Sequence, residues 1–459
     1  MAWLKGIRLP RGPALPGRGA WRWLYLGLGV KRWLVLLFIG VTLLSLGTAL
    51  FLVGIYRELA FPPFVYYLTL QFIPRELRAV ILGLAGVALV LFAIWKLNQS
   101  LLSAVAPRET SLVDALYRRR RRQQGIKLVV IGGGTGMSTL LRGLKTYTEN
   151  LAAIITVADD GGSSGRLRRE LGLLPPGDFR QCLAALADAE PLMGHLFEYR
   201  FAEGTGISGH AFGNLFIAAM AGITGNFEKA LLESSRVLAV RGKILPSTLE
   251  NVTLGAEVRG SAERQWARVM GESQIAKFGQ PVERVFLDPE HVPAYPGAVR
   301  VILEADLIIA GPGSLFTSVI PNLLVDDIRR ALQSSPARKI YICNVATEHG
   351  ETDGYSLQDH VAALEAHTGG PLFTTVFAND NWRGQLPPLA QIEFVRPRGQ
   401  SAPPYQYVFV DVVDEQYPWR HDPEKLAREV LRWYARTNKG PESPLSHTSN
   451  TLEEQWQHV

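Results

Sequence analysis

The sequence predicts an α/β protein with a doubly wound, mainly parallel sheet, preceded by an α-helical transmembrane hairpin. Beyond residue 126, short apolar runs that end in glycine or aspartate alternate with stretches of helical spacing. That alternation is typical of parallel sheets with crossover helices, which bind ligands at the carboxyl ends of their strands. Before residue 100, two uncharged apolar runs each fall within the length range that crosses a bilayer.

The composition excludes several classes of protein. The 459 residues are 47% hydrophobic and 20% charged, which rules out a disordered or collagen-like chain. The net charge of +6 originates in the first 122 residues, which hold 17 Lys/Arg against 4 Asp/Glu, whereas the remainder is mildly acidic. The folded part therefore lacks the basic surplus of a nucleic-acid-binding domain. Cys182 and Cys343, the only cysteines, provide neither a disulfide framework nor a zinc site.

The first quarter of the chain predicts a membrane anchor. Residues 34–56 and 79–95 carry no charge, and the proline-broken stretch between them is too irregular to span. Basic residues lie in 1–33 and in the linker 98–125, so the positive-inside rule places both termini in the cytoplasm. We therefore expect a multi-pass cell-membrane protein with two helices within 34–97 and a short external loop. A cleaved signal peptide is the alternative, but no small-residue cleavage site follows the first run. The linker is expected to rest on anionic lipid rather than to bind nucleic acid.

The rest of the chain, 126–436, predicts one large domain. A closing helix is expected at 423–435, with Asp422 as its cap and Pro423 in its first turn. The polar tail, 437–459, is expected to be disordered. The predicted strands lie within 127–136 and 151–162, and at 300–310, 339–345, 372–378 and 407–413.

A glycine turn follows the first predicted strand. Such a turn exposes backbone N–H groups at a helix N-terminus, where a phosphate binds well. Residue 137 is methionine, so the strict dinucleotide pattern G-x-G-x-x-G is absent, and there is no Walker A loop either. The alternative is a tight turn that binds nothing. The turn consists of Gly132, Gly133, Gly134, Thr135 and Gly136.

Two aspartates end the second predicted strand. Asp159 or Asp160 could accept a ribose hydroxyl, and the pair could hold Mg²⁺ through its oxygens. The hydroxyls of Ser163 and Ser164 and the guanidinium of Arg166 follow, and they can donate to phosphate or carboxylate oxygens. A flexible Gly/Ser linker is the alternative interpretation of this segment.

Two further segments place polar residues at predicted helix starts. Asp178 and Arg180 begin one helix, where the aspartate could simply be the N-cap. His210 and Asn214 lie beside a glycine turn that opens an apolar helix. A hydrogen-bonded structural role is the alternative to catalysis for His210.

A second glycine turn follows the strand predicted at 300–310. Two such turns on one sheet imply an extended ligand with two anionic or polar regions, as in a diphosphate-linked molecule. Ser356 is expected to cap a later helix. The second turn and its surroundings contribute Gly311, Gly313, Ser314, Thr317, Asn322 and Asn344 as candidate ligand-binding residues.

Six blocks of this sequence resemble the signature of the YvcK branch of the CofD-like family, the gluconeogenesis factors. The blocks are GGGTGMSTLLRGL, VADDGGSSGRLRRELG, PPGDFRQCLAALAD, GHAFGNL, GPGSLFTSVIPNLLV and CNVATEHGETDGYSLQDHV. The resemblance implies a Rossmann-like fold, often oligomeric, that binds a UDP-sugar of the UDP-N-acetylglucosamine type. It also implies a link to cell-wall precursor supply and cell shape. The N-terminal hairpin departs from the soluble members of this branch.

The resemblance also implies roles for individual residues. The turns Gly132–Gly136 and Gly311–Thr317 would hold the nucleotide diphosphate, and Asn322 and Asn344 would line the same crevice. In the enzyme branch, a Mg²⁺-dependent transferase moves a phospholactyl group onto a deazaflavin alcohol, and acidic residues after the second strand serve acceptor and metal. Asp159 and Asp160 are therefore the catalytic candidates here, although the GGSSGRLR continuation is that of the YvcK branch.

We therefore expect a cytoplasm-facing, membrane-tethered UDP-sugar-binding regulator, which forms a homo-oligomer and requires no cofactor. The transferase, with Mg²⁺, is the alternative. An NAD(P)-dependent oxidoreductase is a third interpretation, weakened by the missing strict glycine pattern.

Overall fold

The computed structural model describes residues 39–49, 51, 53, 67, 70, 72–105, 125–188, 191–259, 266–399 and 403–438. The chain divides into two compact units, Met1–Arg121 and Arg122–Val459. The predicted basic N-terminus, most of the linker 98–125 and the tail beyond 438 lie outside the described residues.

Among its described residues, the first unit contributes the helices α1 (Ile39–Ala49) and α2 (Arg75–Val105). The second predicted membrane run is helical within α2, whereas much of the first run lies outside the described residues. By length and hydropathy, no single helix in the described ranges qualifies as a membrane span. Two helices of the second unit, Phe212–Thr224 and Phe227–Val237, qualify only as a pair, with a bend of 118° between them.

The described residues of the second unit contain ten strands in two sheets. Seven strands form one sheet in the order β10-β9-β8-β7-β1-β2-β3, and every neighbouring pair in it is parallel. The other three form a small antiparallel sheet, β5-β4-β6, that the sequence did not predict. In chain order the strands are β1 (Leu128–Gly132), β2 (Leu151–Ile155), β3 (Lys243–Pro246), β4 (Thr253–Arg259), β5 (Trp266–Met270), β6 (Val282–Asp288), β7 (Leu307–Ala310), β8 (Arg338–Ile342), β9 (Thr375–Asn379) and β10 (Gln406–Val410).

The strand order reverses between β1 and β7. From β1 the chain continues to β2 and β3 on one side, and β7 then pairs with the other side of β1 and continues outward to β10. Every residue of β1, β2 and β7 is buried, as expected for the centre of a parallel sheet covered on both faces. In such folds the gap at the reversal point forms the ligand crevice.

Several helices of this unit pack against one another. Helix α3 contacts both α5 and α14, and α10 contacts α12. The helices are α3 (Gly134–Leu144), α4 (Gly162–Leu171), α5 (Gly177–Leu186), α6 (Pro191–Glu198), α7 (Phe212–Thr224), α8 (Phe227–Val237), α9 (Glu272–Phe278), α10 (Pro296–Leu303), α11 (Ile320–Leu323), α12 (Asp326–Ser334), α13 (Leu357–Thr368) and α14 (Pro423–Asn438), with a π-helical turn at Leu315–Val319 and a 3₁₀ turn at Pro388–Ala390.

The doubly wound α/β prediction is confirmed, but one strand was wrong in its first half. Residues 300–303 are the end of α10, and β7 begins only at Leu307. Pro296 stands in the first turn of α10, and the buried Ala298 and Ile302 are four residues apart, which is helical rather than strand spacing. The later strands lie one to three residues from their predicted positions.

Both predicted helix caps are confirmed. Asp422 accepts the backbone N–H groups of Glu424 and Lys425 at 2.9 and 2.7 Å, which begins α14. Ser356 and Asp359 form a capping box at the start of α13.

Candidate functional site

The two glycine turns lie against each other at the reversal point of the sheet. The first turn links β1 to α3, and the second follows the neighbouring strand β7. A Cβ atom on Gly136 would lie 2.7 Å from the carbonyl oxygen of Pro312 and 2.8 Å from the backbone nitrogen of Gly313. Gly311 has φ of 75°, and a side chain there would meet the carbonyl oxygen of Ile342 at 2.8 Å. Glycine is therefore required where the turns approach each other.

A crevice of about 560 Å³ opens at these turns. Its size is within the range of small-molecule sites. The lining residues come from both turns, from α5 and α9, and from the segments that follow β8 and β10. They are Gly133, Gly134, Thr135, Gly136, Thr139, Asp178, Gln181, Glu272, Pro312, Gly313, Ser314, Ser318, Asn344, Val345, Ala346, Thr347, Glu348, His349, Ile392, Trp419, Arg420 and His421.

Part of the expected backbone donor set is already used inside the protein. The N–H of Gly313 donates to Asn344 Oδ1 at 3.1 Å, and the N–H of Gly311 donates to the carbonyl of Ile131 at 2.9 Å. The N–H of Gly134 hydrogen-bonds to the carboxyl group of Asp178. These three amides therefore bond within the protein, and a role for them in ligand binding stays a prediction. Thr135 and Gly136 remain as donors, because the first residues of a helix have no carbonyl one turn earlier to bond to.

Carboxyl groups dominate one wall of the crevice. Asp159 accepts the N–H of Gly161 at 2.8 Å and hydrogen-bonds to the side chain of Glu272, a contact between two carboxyl groups that requires a proton. Burial, followed by the charge of Asp159, raises the pKa of Glu272 to about 10. The same two causes raise the pKa of Asp178 to about 7. This wall therefore holds protons at neutral pH.

A second acidic pair holds the hydroxyl groups of the second turn. Ser314 Oγ donates to Glu348, and Thr317 Oγ1 donates to Glu351 Oε1 at 3.1 Å. Burial, followed by the charge of Glu348, raises the pKa of Glu351 to about 8. Both hydroxyls are therefore bonded to glutamates within the protein, and their donation to a ligand stays a prediction.

Asp159 and Asp160 are both bonded at the start of α9. Asp160 Oδ1 turns toward the start of α9, where it accepts the N–H of Ser273 at 2.9 Å, whereas Asp159 faces Glu272. Across the described ranges, no group of three or more His, Cys, Asp or Glu side chains is placed to hold a metal ion. Each of the two carboxyl groups is therefore already bonded within the protein, and a shared Mg²⁺ ion stays a prediction.

Several predicted residues form a separate buried network. Ser163 Oγ lies 2.9 Å from His210 Nδ1 and accepts Asn214 Nδ2 at 3.0 Å, and all three side chains are buried. Arg166 donates to the carbonyl of Ser208 at 2.9 Å, and Arg180 is also buried. These five residues do not line the crevice, contrary to expectation. The bonds of Ser163 to His210 and of Arg166 to Ser208 hold the segment 199–211 against α4, which is the structural alternative for His210.

Two other predicted residues lie behind the first turn. Asn322 is fully buried, and its Nδ2 donates to the carbonyls of Gly132 and Ser318 at 3.1 and 2.8 Å. It braces the end of β1 and does not line the crevice. Ser164 is buried beside Gly177, where an added Cβ would lie 2.4 Å from its Oγ.

One side of the crevice is formed by the segment that precedes α14, which we call the far wall, and its residues were not predicted from the sequence. Trp419, Arg420 and His421 line the crevice just before α14, and Gln181, Glu272, Glu348, His349 and Ile392 were missed as well. The signal for the first three was their position: they follow β10, in a fold where ligands collect after strand ends. Within the described part of the chain that lines the crevice, Arg420 is the single arginine or lysine.

The chain is similar to known proteins in both sequence and fold. The sequence profile of the 2-phospho-L-lactate transferase CofD matches residues 128–432. The gluconeogenesis factor of Bacillus subtilis is 46% identical over 308 residues, covering 66% of this chain and 96% of its own. A relative from Nostoc sp. is 44% identical over 437 residues, 91% of this chain and 93% of its own. A crystal structure of a UPF0052 family member from Bacillus halodurans superimposes with a TM-score of 0.61 at 42% identity, covering 66% of this chain and 98% of that one.

The raised pKa of Asp178 makes a prediction about stability. The ordinary value is 3.8, so the folded chain holds this proton more tightly than the unfolded chain between about pH 4 and pH 7. Stability from this group is complete below pH 4 and is lost as the pH rises through about 7. We expect Asp178→Asn to raise the free energy of unfolding at pH 8 by about 1–3 kcal/mol and by much less at pH 4.

The measurement is urea unfolding at pH 4, 6 and 8. Asp380→Asn, on an exposed loop, is the matched control and should leave the pH profile unchanged. An identical loss of stability at all three pH values in Asp178→Asn would contradict the assignment of a shared proton to this wall.

Proposed function

The chain belongs to the CofD-like family and, within it, to the gluconeogenesis factors, and on that basis we propose that it binds a UDP-sugar of the UDP-N-acetylglucosamine type. We further propose that it acts as a regulator linked to cell-wall precursor supply and cell shape, and that it works as a homo-oligomer. Binding, rather than turnover, is the proposed activity.

The observation that carries this proposal is the contact between the two glycine turns at the reversal of the strand order. It creates a crevice at the N-terminus of α3, where the helix dipole and the backbone N–H groups of Thr135 and Gly136 favour an anion. A diphosphate is the anion that fits best against a short stretch of backbone amides.

The far wall offers contacts for both the phosphates and the base of a nucleotide. Arg420 offers the cationic group for the diphosphate, and its guanidinium lies over the ring of Tyr417 at 5.5 Å. Trp419 packs edge-on against the same ring, with 5.5 Å between centroids, and offers an aromatic surface for a base. The amide, hydroxyl and carboxyl groups elsewhere in the crevice suit the hydroxyls of a sugar.

The alternative is a Mg²⁺-dependent transfer of a phospholactyl group to a deazaflavin alcohol. What favours it is the activity named by the matching family profile. The internal bonds of Asp159 to Glu272 and of Asp160 to Ser273 speak against it, because a shared ion would compete with them. Product formation on incubation with donor, acceptor and Mg²⁺ would decide for the transferase.

Membrane attachment of the N-terminal unit is part of the proposal. Helix α2 has 31 residues, about 46 Å of helix, and only Glu76 in its first turn is acidic. Val80, Leu84 and Leu89 on this helix are 56%, 66% and 70% exposed. Apolar side chains exposed along a helix of this length suit a lipid environment.

Gly136→Ala tests the diphosphate crevice. The added methyl group would meet the backbone of Pro312 and Gly313 and force the turns apart, so we expect the affinity for UDP-N-acetylglucosamine to fall at least about tenfold. Isothermal titration calorimetry measures it, with NAD as a comparison ligand. Gly222→Ala is the matched control, because a Cβ there meets nothing within 4 Å. Unchanged affinity in Gly136→Ala would contradict the proposed site.

Fractionation of cells tests the membrane attachment. We expect the full chain to sediment with membranes and to resist carbonate extraction, since two apolar helices would be embedded in lipid. A chain that begins at Gly125 should stay in the supernatant. Recovery of the full chain in the supernatant would contradict the attachment.

A further inference from the structure

We propose that the two ends of the crevice bind different parts of the ligand. Gln181 binds the sugar at one end, and His421 binds the base at the other. This inference rests on the proposed function, because it assigns the two ends of the same UDP-sugar. It is carried by two buried polar atoms that the protein itself leaves without partners.

The first of these atoms is Oε1 of Gln181. This side chain lines the crevice from α5, and its Oε1 is buried without a hydrogen-bond partner among the described residues. A buried acceptor without a partner is unfavourable, and a ligand donor removes that cost. Asp178 and Glu272 line the crevice on the same side. This end therefore offers carbonyl and carboxyl oxygens, which accept the hydroxyl groups of a sugar.

The second atom is Nε2 of His421. The side chain is 7% exposed, lines the crevice, and bonds to the backbone of Cys343, which leaves Nε2 buried and unpartnered within the described ranges. Burial lowers the pKa of this imidazole to about 4, so the ring is neutral and Nε2 is an acceptor. A uracil ring presents an imide N–H, which is the donor that this atom lacks. Trp419 is the adjacent aromatic surface.

The strand order places these two atoms on opposite sides of the glycine turns. Helix α5 packs against β2 and β3, so Gln181 lies on the β2 side of the reversal point. His421 contacts Cys343, the residue after β8, and so lies on the β8 side. The turns follow β1 and β7, which lie between β2 and β8 in the sheet. A diphosphate at the turns therefore has its sugar toward Gln181 and its base toward His421.

The test compares the affinities of the full chain for UDP-N-acetylglucosamine and for UDP. We expect Gln181→Ala to weaken UDP-N-acetylglucosamine about tenfold and to leave UDP within about twofold, because UDP lacks the sugar. His421→Phe keeps the ring volume but removes the acceptor, and we expect it to weaken both ligands about equally. His291→Ala is the matched control, since this histidine is exposed, bonds to Asp326 and lies outside the crevice.

The outcomes separate this inference from the proposed function. Binding of neither ligand by the unchanged chain would overturn the proposed function and this inference with it. Binding by the unchanged chain, with UDP and UDP-N-acetylglucosamine weakened equally in Gln181→Ala, would overturn the inference alone. Thermal unfolding identifies a misfolded His421→Phe. His421→Gln, which retains a polar acceptor, should then restore part of the affinity for both ligands.

Discussion

The close contact between two backbone turns is the constraint on which the rest of the site depends. Gly136 can approach Pro312 and Gly313 only because it has no side chain, and Gly311 adopts a positive φ beside the carbonyl of Ile342. The parallel pairing of β1 with β7 brings the turns to the same edge of the sheet. Asn322 and Asn344 then hold them by hydrogen bonds to backbone groups, and Asn344 also lines the crevice.

The electrostatics of the crevice follow from this arrangement. Packing the turns closely buries the carboxyl groups that surround them, and buried carboxyl groups retain protons. The hydrogen bond between Asp159 and Glu272 needs one such proton, and Asp178 holds another in part at neutral pH. An anionic ligand can enter because these groups are largely neutral and Arg420 lies on the opposite wall. We therefore expect the binding of an anionic ligand to be coupled to the uptake of protons.

The sequence predicted the sheet and the two turns well, because glycine after a buried apolar run is a local signal. It could not predict that Ser314 and Thr317 are bonded to Glu348 and Glu351, since those contacts join residues 34 positions apart. It also did not predict His421 and Gln181. Each of these side chains has one buried polar atom without a hydrogen-bond partner among the described residues, and this is visible only in the folded chain. The residues that the resemblance to the CofD-like family indicated include crevice-lining ones such as Gly133 and buried ones such as His210, and the resemblance did not distinguish the two kinds.

Hydrogen–deuterium exchange with and without UDP-N-acetylglucosamine tests the central claim most directly. If one diphosphate lies across both turns, backbone amides in 133–139 and in 313–318 should exchange more slowly together when the ligand is bound. The segment 199–211, which the Ser163–His210 network holds away from the crevice, should be unchanged. Slower exchange at only one turn, or at 199–211 instead, would contradict the claim that the two turns form a single site.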